Sequence, residues 1–366
     1  MALPPRPGIL ELTPYVGGEA AIPGANRVIR LASNENPLGA SPRATAAYTA
    51  LKDDLHRYPD GGMAELRSAI AGSEDLDPAR IVCGAGSDEL IALLVRAYAG
   101  SGDEVLHSAH GFLMYAISAK AAGATPVAAP ERDLRVEVEA MLAHVSARTR
   151  LVFLANPNNP TGSYLSAAEL RRLREGLPDH VLLVIDAAYA EYLEAADYEP
   201  GAGLVEAFDN VVMLRTFSKV HGLAALRLGW AYGPPAVIDV LNRVRGPFNV
   251  SQAAQAAGIA AVTDREHVAR ARRHNTRWRD WLTERLGAAG LHVYPSVGNF
   301  ILVRFPDAPA RDAGAAQAWL KTQGILVRGM AGYGLPDCLR ITVGTESETR
   351  AVAEALADFM AGRAAS

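Results

Sequence analysis

Lysine is nearly missing from this chain. Only Lys52, Lys120, Lys219 and Lys321 occur among its 36 basic side chains, and arginine supplies the rest. Cysteine is scarcer: Cys83 and Cys338 are too few for a disulfide framework, and neither belongs to a Cys-x-x-Cys pair. A reducing cytoplasm is therefore expected, and no metal site. No apolar run approaches the roughly 20 residues of a membrane span. The opening MALPPRPGILELTPYVGGEA carries prolines and glutamates where a signal peptide needs continuous apolar residues. An excess of charge is lacking too, and a net −4 gives nucleic acid or an anionic membrane no electrostatic handle. What is present is ordinary material for a large interior: 366 residues, 49% of them hydrophobic. That length suggests about two domains.

From about residue 62, short apolar runs alternate with helical patterns. RIVCG (80–84), EVLHS (104–108), TPVAA (125–129), LVFLAN (151–156), VLLVID (181–186), VVMLRTF (211–217) and LGWAYG (228–233) read as strands. Their continuous apolar character, with helices at 87–99, 112–122, 137–145 and 166–176 between them, implies an α/β fold. Its central sheet is mostly parallel and sandwiched by helices. After Pro247 the pattern changes. A long amphipathic helix near 264–289 opens with the capping-box sequence TDRE and closes at Gly290. GNFILVRF (298–305), GILVRG (324–329) and LRITVG (339–344), with helices near 312–323 and 346–361, then read as a smaller α+β domain. The expected division is an arm at 1–40, a large domain at 41–246, and a connecting helix with the small domain at 247–366.

Polar groups gather where the apolar runs stop. GAGSDEL (84–90) follows a strand and opens a helix, so backbone N–H groups there favour an anion. It starts like a dinucleotide fingerprint, but Glu89 stands in place of the third glycine. A phosphate cradle and a bare capped turn both remain open. NPNNPTG (156–162) is either a turn or a site beyond a strand's carboxyl end, with Asn159 as a side-chain donor. Asp186 emerges from buried apolar residues, where a carboxylate is costly without a cationic partner; capping the next segment is the alternative. Lys219 follows another apolar strand. Unlike arginine, it can lose its proton and attack a carbonyl. Thr216, Ser218 and Arg227 beside it suit a phosphate.

Together these are the groups needed to hold pyridoxal 5'-phosphate. Across essentially its whole length the chain resembles the fold-type I pyridoxal-phosphate aminotransferases, and within them the histidinol-phosphate aminotransferase branch. The likeness is carried by LASNENPLG (31–39), RYPDGG (57–62), GAGSDELI (84–91), NPNNPTG, DAAYAEY (186–192), TFSKVHGLAALRLGW (216–230) and VRGMAGYGLPDCLRITVGT (327–345). By that resemblance, Lys219 carries the cofactor as an imine and shuttles the substrate proton. Asp186 keeps the ring nitrogen protonated, and Tyr189 and Asn159 bind the ring oxygen. Gly86, Ser87, Thr216, Ser218 and Arg227 hold the phosphate. Tyr58 reaches it from a second subunit, so a homodimer with shared sites is implied, and the arm contributes to the small domain and the dimer. Phe112 stacks on the ring, with Tyr115 as the alternative, although SAHGFLMY (108–115) lacks the family's Pro-x-Tyr. Ala187 stands where the family usually has Glu. Arg340 grips the substrate's acidic group, Arg328 and Tyr15 its phosphate, and Asn36 approaches the carboxylate or the arm. The implied reaction converts histidinol phosphate and 2-oxoglutarate to imidazole-acetol phosphate and glutamate, in histidine biosynthesis. An aromatic amino-acid aminotransferase, a threonine-phosphate decarboxylase-type lyase and a non-enzymatic binding module are the rival expectations.

Overall fold

The computed structural model describes residues 5, 6, 8–15, 17–23 and 27–362. Its first strand, β1 (Ile29–Leu31), belongs to a small sheet completed near the other end of the chain. A larger sheet comes between. It is built from β2 (Ile81–Gly84), β3 (Glu104–Ser108), β4 (Thr125–Ala129), β7 (Thr149–Ala155), β8 (Leu182–Asp186), β9 (Val211–Thr216) and β10 (Gly229–Tyr232). Two-residue strands β5 (Glu131–Arg132) and β6 (Arg135–Val136) form a separate hairpin.

The larger sheet has the order β2-β10-β9-β8-β7-β3-β4. Its pairs from β9 to β4 are parallel, whereas β10 is antiparallel to both neighbours. Strands β8 and β9 are buried at every residue, because helices cover both faces; this explains why their sequences do not alternate. On one face Leu66, Ile70, Leu170 and Leu173 join Val152, Leu183 and Met213 in one core. On the other, Leu90, Leu94, Ile238 and Leu241 meet Phe153, Val184 and Val212. Residues past Pro247 first return to this layer: Ala254, Ala257 and Ala261 of the helix Gln252–Val262 belong to the first of these cores.

The small sheet follows, with the order β1-β13-β14-β12-β11. Its later strands are β11 (His292–Tyr294), β12 (Phe300–Arg304), β13 (Ile325–Gly329) and β14 (Cys338–Thr342). Here β1 runs parallel to β13 and the remaining pairs are antiparallel. The long helix Arg265–Ala288 contributes Leu282 and Leu286 to its core, beside Leu320 and Leu356. The expected capping oxygen shifts by one residue: Asp264, not Thr263, accepts from the His267 amide.

Candidate active site

The carboxyl ends of β7, β8 and β9 open onto a cavity of about 420 Å³, which β13 and β14 of the small sheet help enclose. Lys219 lies in the segment that leaves β9 and returns as β10. Phe217 N–H donates to Leu228 O at 3.0 Å, tying the two ends of that segment together. Gly222, at φ 68°, lets the turn press against residues 39–40; a Cβ there would run into the Gly39 carbonyl. Just beneath, buried Arg215 pairs with Glu191 at 2.9 Å and Glu74 at 3.2 Å. The Lys219 ammonium donates to Ser33 O at 3.2 Å and sits 5.7 Å from the Tyr189 ring centre. Burial, and then the Arg340 charge, bring its pKa down to about 8, although Asp88 and Glu35 pull the other way.

Asp186 ends β8 with its carboxylate buried. Tyr115 donates to Oδ2 at 2.7 Å, while Oδ1 is buried without a hydrogen-bond partner. Burial pushes the acid up to about 6, partly offset by the Tyr115 bond. A carboxylate in this position is set to receive a cationic N–H. Tyr115 itself is wholly buried and stacked on Phe153, with ring centres 4.7 Å apart. Of the two aromatic candidates, only Phe112 lines the cavity; Tyr115 acts behind Asp186.

The third group of polar atoms suits an anion. Gly86, at φ 84°, is the N-cap of the helix Ser87–Tyr98, and a Cβ on it would collide with the Arg227 guanidinium. Arg227 donates to Ser218 Oγ at 3.3 Å and pairs with Asp88 at 3.1 Å. Ser87, Thr216 and Ser218 line the same wall. A helix N-terminus and a guanidinium reinforce each other there. Glu89 folds back to accept from Ala85 N at 2.6 Å and from Asn249 at 2.7 Å. The place a dinucleotide fingerprint leaves to a third glycine is therefore filled by a side chain that braces the loop.

On the small-sheet side, Arg340 and Arg328 are register partners on β14 and β13. Arg340 donates to Asn159 Oδ1 at 2.5 Å and to Ala32 O at 2.7 Å, and its Nε is buried without a partner. Arg328 lies over the Tyr15 ring, 5.6 Å from its centre, and Tyr15 meets Phe112 edge-on. Asn159 is buried, and the peptide bonds preceding Pro157 and Pro160 are cis.

Two expected residues stand elsewhere. Asn36 does not line the cavity: its amide donates to Val220 O at 2.7 Å and accepts from Leu38 N at 3.0 Å, which makes it a brace for the lysine turn. Tyr58 is 81% exposed and stacks on Phe248 at 4.7 Å, away from the cavity of its own chain. Conversely, Asn34, Asp88 and Ser33 line the cavity although the sequence did not single them out. All three lie inside motifs it quoted, LASNENPLG and GAGSDEL, and that membership was the available signal.

The family model for aminotransferase class I and II matches residues 26–356. The histidinol-phosphate aminotransferase of Rhodospirillum centenum is 61% identical over 98% of this chain and 99% of that protein. Its counterpart in Paramagnetospirillum magneticum is 59% identical over 97% and 98%. Among solved structures, histidinol-phosphate aminotransferase from Sinorhizobium meliloti in complex with pyridoxal-5'-phosphate superposes with a TM-score of 0.87. It shares 30% identity, over 98% of this chain and 97% of that one. A match this extensive, on a cavity of this composition, makes the chain a member of the class I and II aminotransferase family.

Proposed function

We propose that this protein is a pyridoxal 5'-phosphate-dependent histidinol-phosphate aminotransferase. It moves an amino group between histidinol phosphate and 2-oxoglutarate, giving imidazole-acetol phosphate and glutamate, a step of histidine biosynthesis. The observation that carries the substrate is the 61% identity to the Rhodospirillum centenum enzyme across nearly both whole chains.

The residues fit the cofactor. The unpartnered Asp186 Oδ1 calls for a cationic N–H, and the glycine at position 86 leaves room for the Arg227 guanidinium beside a helix N-terminus. When bound, pyridoxal phosphate supplies an aldehyde for amines and a ring that draws electrons from the carbon attached to the nitrogen. Asp186 would hold the ring nitrogen's proton through Oδ1 while Tyr115 steadies Oδ2. Gly86, Ser87, Thr216, Ser218 and Arg227 would seat the phosphate. Tyr189 and the Asn159 amide nitrogen, whose oxygen partner is already bound to Arg340, would donate to the ring oxygen. Phe112 would cover a ring face. Lys219 Nζ, lowered to about 8 and so partly unprotonated at neutral pH, would take and return the proton at the substrate carbon. Arg340 Nε offers an unused donor to a substrate anion, with Arg328 and Tyr15 beside it.

The reading extends to a cytoplasmic homodimer. No helix among the described residues is long and apolar enough to cross a membrane. The exposed Tyr58–Phe248 stack offers a surface through which Tyr58 would serve a second subunit's phosphate seat. An aromatic-acid substrate keeps one argument: the adjoining cavity of about 600 Å³ has Leu113, Ile117 and Val327 in its walls, which suit a phenyl ring as well as an imidazole. Single-turnover reactions, followed through the cofactor's absorbance, separate the two. Histidinol phosphate is expected to react faster than phenylalanine or tyrosine, without release of carbon dioxide. Faster reaction with the aromatic acids would overturn the assignment.

A further inference from the structure

Tyr189 carries a hydroxyl with one proton and two lone pairs, and the small sheet determines how they are used. Asn34 Nδ2 donates to Tyr189 Oη at 2.9 Å. Thr342 of β14 sets the orientation of the Asn34 amide: with the amide oxygen on the Thr342 hydroxyl, Nδ2 is turned toward Tyr189. The Asn34 backbone N–H donates to Thr342 Oγ1 at 3.0 Å, and the Thr342 hydroxyl donates to Asn34 Oδ1 at 3.1 Å. Asn299 donates to Asn34 O at 2.9 Å and holds the main chain as well. All three side chains are nearly inaccessible: Asn34 is 1% exposed, Thr342 3% and Tyr189 4%. Buried polar groups of this kind keep the partners they have. Asn34 sits at φ 56°, a left-handed conformation that asparagine tolerates better than most residues.

The side-chain donors run in sequence from the Thr342 hydroxyl to the Asn34 amide and from the amide to Tyr189 Oη. The Asn34 amide spends its donor on one Tyr189 lone pair, so the tyrosine proton must leave in another direction. No other hydrogen bond to Tyr189 Oη is found among the described residues, and Tyr189 lines the cavity. We infer that Asn34, locked by Thr342, is a positioning residue that turns the Tyr189 proton into the cavity and so tunes the charge on a bound ring oxygen. The inference rests on the cofactor reading above. It adds a control that starts on the small sheet and reaches the large-sheet groups through one hydrogen bond. Donation into Tyr189 Oη also polarises its O–H, making it a better donor in turn.

The chemistry gives a direction. A hydroxyl donating to the cofactor's ring oxygen holds negative charge there and leaves less of it for the neighbouring nitrogen that Lys219 contributes. That nitrogen then keeps its proton less tightly. Weakening the donation raises the pH at which the visible absorbance of the loaded protein changes. The charged groups around Tyr189 and Lys219 are Arg340, Asp186, Asp88, Glu35 and Arg227, and none of them is altered in the test.

The experiment is a pH titration of visible absorbance for the holoenzyme and its variants. Asn34→Gly keeps the left-handed backbone without strain and deletes the donor; it is expected to raise the midpoint by about half a pH unit. Asn34→Asp keeps the shape but accepts the Tyr189 proton, and should raise the midpoint further. Thr342→Val, which frees the amide without touching Asn34, should move it the same way. It carries the test if the glycine variant folds poorly. In a Tyr189→Phe background, both Asn34→Gly and Thr342→Val are expected to move nothing more. An unchanged midpoint in the Asn34 variants, or an equal shift with and without the tyrosine hydroxyl, would overturn the inference. A wild-type protein that gains no visible band on adding pyridoxal phosphate rejects the cofactor reading instead.

Discussion

At the scale of single residues, the site is a set of groups held away from their preferred charge states. Asp186 shows what that costs. Its folded pKa of about 6 lies above the unfolded value, so the carboxylate weakens the cofactor-free protein as pH rises through that interval. Asp186→Asn should therefore stabilise the cofactor-free protein at pH 7.5 by about 2–3 kcal/mol. The gain should shrink steadily toward pH 4, where the native acid is itself protonated. Urea unfolding at several pH values checks this, and a pH-independent gain would contradict it. The same variant should lose tight cofactor binding, a trade of stability for function. Asp186 and Lys219 stood out in the sequence because the first ends, and the second closely follows, an apolar run that reads as a buried strand. Tyr115 and Asn34 were less so. Their partners lie 71 and 155 positions away, and nothing in local spacing tells a packing tyrosine from one that donates to a carboxylate. Asn36 shares a motif with Asn34, two residues away, and local spacing does not separate the roles of the two amides. Asn34 has a left-handed backbone and lines the cavity, whereas Asn36 does not line it.

Among the elements, the helix Ser87–Tyr98 and the segment between β9 and β10 do most to shape the anion seat. Gly86 caps this helix at positive φ, where only a residue without Cβ fits beside Arg227. Gly86→Ala is expected to push the guanidinium aside, costing one or two charge-assisted hydrogen bonds to the phosphate. That corresponds to roughly 10- to 100-fold weaker pyridoxal phosphate binding. Equilibrium dialysis measures it, and unchanged affinity would mean that Arg227 is not part of the seat. The strands of the larger sheet were readable from composition, whereas the short strands β1, β5, β6 and β11 and the direction of β10 were not. Its apolar run is as continuous as those of the parallel strands β8 and β9, so nothing in its composition marks it as antiparallel. The helix Gln252–Val262 was equally hard to place. Its small residues let it pack against the large layer, although it follows the point where the sequence pattern changes.

For the molecule as a whole, the exposed aromatic pair is the feature a lone chain explains least. Tyr58 and Phe248 stack in solvent, with Leu55 80% exposed close by in sequence. If a second copy covers them, Phe248→Asp should shift sedimentation from dimer toward monomer and lower cofactor retention with it. A wild-type monomer at micromolar concentration would remove the shared-site proposal. The two sheets also impose an order on how the chain comes together. Strand β1 is made first, yet it pairs with β13, whose residues follow nearly 300 positions later. Ser33 and Asn34 come just after β1, and Asn34 needs Thr342 of β14 to hold it. During synthesis the large sheet can close while the first strand still waits for its neighbour. The contacts of Ser33 with Lys219 and of Asn34 with Tyr189 are thus among the last to form. A chain ending short of β14 would hold Lys219 and most of the cavity wall but would lack Arg340 and the Thr342 hydroxyl that holds Asn34.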